Sequence, residues 1–144
     1  MAAIAAAIGA SADLTTGPVF VVNGARTFYT KVLNNTNATQ TVTVRVYDIA
    51  QFVTNVGMVP FCPKVLFAQT TTTVAPCCTA EIQLPAVAQN HQYELQVLGL
   101  SPGMYVSSFS TATTPGGTKL PTPIDGSIFI NRDFAPLIQT CTPA

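Results

Sequence analysis

Residues 40–47 (QTVTVRVY) alternate without a break: Val42, Val44 and Val46 fall at one parity, Thr41, Thr43, Arg45 and Tyr47 at the other. A period of two places successive side chains on opposite faces of an extended chain, so this segment separates an apolar from a polar face only as a β-strand. The rest of the body repeats the theme, with short β-branched or alternating runs cut by Pro, Gly and Asn at a spacing of roughly 8 to 12 residues. No long amphipathic helical pattern interrupts them.

Residues 18–22 (PVFVV), closed by Asn23-Gly24, predict one half of a hairpin, with residues 25–33 as its return. Residues 34–37 are the next turn. Residues 64–68, 70–75 and 79–84 give three more strands bounded by Pro63, Pro76 and Pro85. Residues 92–98 alternate, Ser101-Pro102-Gly103 turns the chain into residues 104–111, and residues 113–123 read as a Pro/Gly-rich loop. Residues 127–130 and 134–138 supply closing strands. An all-β jelly-roll sandwich of about eight antiparallel strands, spanning residues 18–144, fits this pattern.

A chain of 144 residues is one domain by length, and a domain of that size buries roughly 68 to 70% of its unfolded surface, enough for a core without metals. Charged residues make up only 8% of the chain, hydrophobic residues 48%, and the net charge is zero. Little self-repulsion keeps such surfaces apart, which favours self-association. Arg26, Lys31, Arg45, Lys64, Lys119 and Arg132 are scattered singly, so no basic patch for nucleic acid forms along the sequence.

The N-terminus reads MAAIAAAIGASA, without charge or aromatic residue. Residues 1–17 are assigned as a connector arm whose assembly residues are Ala2, Ile4, Ala6, Ile8 and Ala10. With no Lys or Arg before Arg26 the arm lacks the basic region of a secretory signal. It is also shorter than the roughly 20 apolar residues of a membrane span, and none is expected. Ile4 and Ile8 share a face in a helix and in a strand alike, so both conformations stay open. Extended at roughly 3.3 Å per residue, the arm outreaches a domain whose radius of gyration is about 14 Å, and so reaches a neighbour.

Catalysis needs nucleophiles, acids and bases brought together, and the chain is poor in all of them: one histidine and six carboxylates. His91 sits in the polar stretch Gln89-Asn90-His91-Gln92 and reads as a surface residue. Asp125, Arg132 and Asp133 read as a solvated turn ion pair. No catalytic residue, metal site or cofactor is expected. Cys62, Cys77, Cys78 and Cys141 lack zinc-site spacing, and their even number favours disulfides, in any of three connectivities. A bond between adjacent Cys77 and Cys78 is strained, so each reaches a distant partner, within or between subunits; four buried thiols are the other reading. The two sequons, Asn34-Asn35-Thr36 and Asn37-Ala38-Thr39, overlap a turn whose residue types already explain them.

Residues 34–47 (NNTNATQTVTVRVY), residues 93–109 (YELQVLGLSPGMYVSSF) and Asn131-Arg132-Asp133-Phe134 before Pro136-Leu137 together resemble the endospore-appendage (Ena) family of spore-forming Gram-positive bacteria. The likeness covers most of the chain from about residue 18. It implies a jelly-roll pilin without a signal peptide, whose N-terminal connector and strand-to-strand contacts build robust fibres on the spore surface or exosporium. The partner it implies is a second copy of the chain, with a tip or anchor protein at the spore surface as a further one. Some members carry paired cysteines in the connector; here the arm has none and the Cys77-Cys78 pair lies mid-chain, which implies non-covalent docking.

The function expected from sequence is therefore a structural subunit of a self-assembling extracellular fibre, joined head to tail by its arm and by β-strand addition. A jelly-roll capsid or surface-lattice protein is the second reading. A monomeric extracellular binding module is the third, weakened by the absence of tryptophan and the presence of only four tyrosines to stack on sugar rings.

Overall fold

The structure is a computed structural model, described for residues 12–20, 25–85, 90–113, 119–123, 129–130 and 134–137. Its strands are β1 (Ala12–Thr15), β2 (Val19–Phe20), β3 (Ala25–Asn34), β4 (Gln40–Val53), β5 (Gly57–Val74), β6 (Thr79–Pro85), β7 (His91–Leu100), β8 (Met104–Thr113), β9 (Lys119–Pro123), β10 (Phe129–Ile130) and β11 (Ala135–Pro136). They form two sheets, β11-β1-β7-β4-β5 with β2 also on β7, and β10-β8-β3-β6 with β9 also on β8. Every pairing is antiparallel.

The alternation of β4 works as its sequence requires. Val42, Val44 and Val46 are fully buried, and across the ladder Val44 faces Val97 and Val46 faces Leu95, both equally buried. The second sheet answers with Phe28, Val32, Ile82, Leu84, Met104 and Val106. Phe28 and Tyr93 join the sheets with ring centroids 4.5 Å apart. Burying each such side chain contributes about 1.5 to 3 kcal/mol, so this shared core is the main force holding the sheets together. The polar pair inside it is satisfied: the Thr30 and Ser108 hydroxyls lie 3.2 Å apart, and Ser108 also donates to the Tyr29 carbonyl.

The all-β sandwich expected from sequence is what forms. Its strand order places β1 beside β7 and makes β4 and β5 a direct hairpin within one sheet, and jelly-roll wrapping is not established by that order. Several local expectations are corrected. Residues 18–22 and 25–33 do not make a hairpin: β2 pairs with β7 in the first sheet, while β3 has β6 and β8 on its two sides and no edge left for β2. The Asn23-Gly24 turn itself lies outside the described residues. Part of the segment read as a loop, residues 113–123, supplies β9 against β8. The two strands placed at 64–68 and 70–75 are one continuous strand, β5, and β4 runs six residues beyond Tyr47 to Val53. Pro60 and Pro63 do not end β5 because it is an edge strand, where a missing N–H leaves no ladder bond unmade on the open side.

The stretch 12–17, read as part of the arm, belongs to the sheet. Leu14 is buried in the core, and Thr16 exchanges bonds with β7, its N–H donating to the Leu95 carbonyl and its hydroxyl accepting from the Leu95 N–H, both at 3.0 Å. The Asp13 carboxylate accepts from the Gly99 N–H at 2.9 Å. Ala2, Ile4, Ala6, Ile8 and Ala10 lie outside the described residues.

Candidate assembly surface

Because β7 runs from His91 to Leu100 and Ala12 sits opposite Leu100, the chain enters the sandwich at one end of the first sheet. The turns at residues 35–39, 75–78 and 101–103 gather at that end. The Asn35 N–H donates to Gly103 and the Asn34 N–H to Cys78. Asn34, fully buried, is the hub of these turns. Its amide nitrogen donates to Ala38 and Val74 carbonyls at 2.8 and 3.0 Å, and its oxygen accepts from the Thr36 N–H and hydroxyl at 2.9 and 2.6 Å. The first sequon is therefore a structural turn whose asparagine is closed to modification.

At the opposite end the β4–β5 hairpin outruns the sheet. The last β4 residue opposite β7 is Gln51, facing His91, and the Phe52 N–H still donates to the Asn90 carbonyl at 2.8 Å; beyond that, among the described residues, β4 and β5 continue as a two-stranded ribbon, with Phe52 opposite Met58 and Val53 opposite Gly57. Asn55 and Gly57 take the left-handed backbone that closes the tip, residue types that tolerate it, and the Val56 N–H donates to Val53. Side chains opposite one another share a face, so Phe52 and Met58 cover one side of this tongue, and Val53 and Val59 the other. Val56 at the tip is 71% exposed and Phe52 48%. A monomer rarely leaves an apolar projection of this kind uncovered.

The tongue leads into the open edge. Among the described residues β5 pairs only with β4, leaving its other side without a neighbour. Natural edge strands are protected by charge, proline, bulges or brevity. The tip-proximal half of β5 has such protection: residues 61–64 bulge opposite Ile49 and contain Pro63 and Lys64. The half from Val65 to Val74 (VLFAQTTTTV) has neither charge nor proline; one bulge, at Phe67 opposite the Val46–Tyr47 step, is its only irregularity, and Val65, Leu66 and Phe67 are exposed. Its outward polar face is knitted to β4 by Thr43 with Thr71 at 2.8 Å and by Arg45 donating to Gln69 at 2.8 Å. By contrast β6, the edge of the second sheet, carries Glu81, which faces Lys31 across the ladder at 3.8 Å.

Two pairs of polar side chains, Lys64–Glu94 and His91–Asp48, lie along this surface. Lys64 leaves the β5 bulge, lies 4.4 Å from the Tyr47 ring centre and donates to Glu94 at 2.7 Å. Glu94 also accepts from the Thr15 hydroxyl at 2.6 Å and from the Gln96 amide at 3.1 Å, so one carboxylate ties β1, β5 and β7. Partial burial pushes its pKa up, but the hydrogen bonds from Lys64, Thr15 and Gln96 and the Lys64 charge outweigh that and hold it below the usual carboxylate range. These two residues border an open cleft of about 310 Å³ with Gly17, Pro18 and Ile49, and their charges neutralise each other. His91, read from sequence as a surface residue, is largely buried at the root of the tongue, its Nδ1 2.9 and 3.0 Å from the two Asp48 oxygens.

Cys62, Cys77 and Cys78 are free and exposed, Cys62 in the β5 bulge and the other two in the β5–β6 turn; Cys141 lies outside the described residues. Asp125, Arg132 and Asp133 also lie outside them. Among the described residues no group of three His, Cys, Asp or Glu side chains is placed to hold a metal, and no helix is long and apolar enough to cross a membrane.

Sequence reading missed the tongue and the edge character of β5. The signal for the tongue was present as two largely apolar runs, residues 49–53 and 56–61, on either side of Thr54 and Asn55, but Pro63 read as the boundary before the next strand.

The fold and this surface define a class: a two-sheet antiparallel sandwich with an edge strand that is uncharged from Val65 to Val74 and an exposed apolar tongue. No family model and no curated protein matches the chain. Among solved structures it is similar to the crystal structure of Thermotoga maritima 1070, at 10% identity and a TM-score of 0.41, over 84% of this chain and 92% of that one.

Proposed function

We propose that the protein is a non-enzymatic structural subunit of a self-assembling extracellular fibre, joined head to tail by its N-terminal arm and by β-strand addition. The observation that carries this reading is the ten-residue edge of β5 from Val65 to Val74, unpaired on one side among the described residues and free of charge and proline. An added strand there completes a row of backbone hydrogen bonds, and a contact between two different surfaces of the same subunit propagates without closing. With 8% charged residues and no net charge, nothing long-ranged opposes the approach. On this reading the resemblance to endospore-appendage subunits puts the fibre on the spore surface, with a tip or anchor protein at one end.

Negative-stain microscopy of the purified protein tests the proposal against the two other readings. Long filaments support it. Closed shells or sheets favour a capsid or surface-lattice role, and dispersed single particles a monomeric binding module.

A further inference from the structure

We infer that the acceptor for the arm is the β4–β5 tongue of a second copy, so that Phe52, Val53, Val56 and Val59 of one subunit are covered by Ile4 and Ile8 of the next. The inference rests on the fibre reading above and names the surface that receives the arm. The two partners match in chemistry. Residues 52–59 carry no charged side chain, and neither do the eleven residues that precede Ala12, which are mostly alanine with two isoleucines. Alanine's small side chain lets a backbone lie close against Phe52 and Val56 while the isoleucines supply the apolar bulk.

Geometry makes the contact one between copies. From Thr15 back to Ala12, β1 runs toward Leu100, and the tongue begins beyond His91 at the other end of β7. At about 3.3 Å per residue the length of β7 alone is about 30 Å, and the tongue adds roughly 10 Å more. Ile8 and Ile4 stand four and eight residues before Ala12, so even fully extended at about 3.6 Å per residue they reach only about 14 and 29 Å, short of their own subunit's tongue. The same opposition of ends makes an arm and a tongue on neighbouring copies a head-to-tail pair.

The test uses two full-length variants. Val56→Asp keeps the arm and spoils the tongue; the position is 71% exposed, so the subunit's own core is untouched. Ile8→Asp keeps the tongue and spoils the arm. Each alone should be a folded monomer by analytical ultracentrifugation, with the concentration needed for filaments raised by about a hundredfold or more, since docking would bury an unpaired carboxylate. Mixed, with Phe67→Lys and Thr73→Lys also present in both to close the β5 edge, they should form a one-to-one dimer that grows no further, one intact arm on one intact tongue. Thermal melts of both variants, and of Phe52→Gln as a second tongue variant, confirm that the fold is kept. If Val56→Asp and Phe52→Gln still form filaments while Ile8→Asp does not, the arm docks elsewhere and the inference is overturned with the fibre reading intact. A mixture that stays monomeric, or Ile8→Asp pairing tongue to tongue by itself, overturns it too. If the unaltered protein forms no filaments, the fibre reading fails and the inference with it.

Discussion

Replacing Asn34 with alanine should unfold the end of the sandwich at which the chain enters, and the size of the effect follows from its five side-chain hydrogen bonds. The bond from its amide to the Val74 carbonyl is buried, whereas those to Ala38 and Ala75 and from Thr36 are partly accessible to water. Losing the buried bond strands the Val74 carbonyl, which costs about 1 to 2 kcal/mol, and the accessible ones add roughly 0.5 kcal/mol each at most. The expected loss is about 2 to 3 kcal/mol, or a fall in Tm of about 5 to 10 °C for a domain of this size. Unfolding followed by circular dichroism, with Ile8→Asp present in both proteins to keep them monomeric, measures it. Asn34→Asp is the control: it still accepts from Thr36 but aims a carboxylate at the Val74 and Ala38 carbonyls, and should destabilise at least as much. If Asn34→Ala lies within about 0.5 kcal/mol of its parent, an ordinary surface value, the three turns are not held by this residue.

The remaining expectations concern the lock, the edge and the thiols. Because the folded Glu94 pKa lies below its ordinary value of 4.5, its contribution is complete above that value and is lost as pH falls through the lower folded one. The melting-temperature difference between the parent and Glu94→Gln should therefore be constant near neutrality and shrink below about pH 4.5, and a difference that instead grows in acid contradicts the assignment. Phe67→Lys with Thr73→Lys, both at exposed positions of the open edge, should leave a folded subunit that no longer forms filaments. Unaltered filaments should persist in about 1 M salt, since backbone pairing and apolar contact are not screened; dissolution in salt would point to charge contacts instead. A thiol reagent should titrate Cys62, Cys77 and Cys78 promptly in the native, unassembled subunit. Fewer than three reactive thiols per chain would mean that at least one of these three is engaged in a disulfide.

Alternation fixed much of this protein before any neighbour was known. Val42, Val44 and Val46 had to share a buried face, as had Tyr93, Leu95 and Val97, because a period of two leaves a strand no other way to segregate them. The turns at residues 34–37 and 101–103 were equally legible, since Asn, Thr, Pro and Gly act on their own backbone. The arm's apolar character was legible too, as a property of composition alone.

Which strand lies beside which is not a local property. Residues 18–22 and 25–33 carry every sign of a hairpin, yet β3 spends both edges on β6 and β8, and β2 finds the free flank of β7. Pro60 and Pro63 break a strand only where both sides must donate, and residues 57–74 by themselves do not decide between an edge strand and a strand that ends at proline. The open β5 ladder, the tongue beyond β7 and the Lys64–Glu94 lock joining three strands exist only once the sheets are assembled. Sequence determined the faces of the strands, because side-chain direction is set residue by residue. Tertiary structure decided their neighbours, because hydrogen-bonding edges are filled by competition across the whole fold.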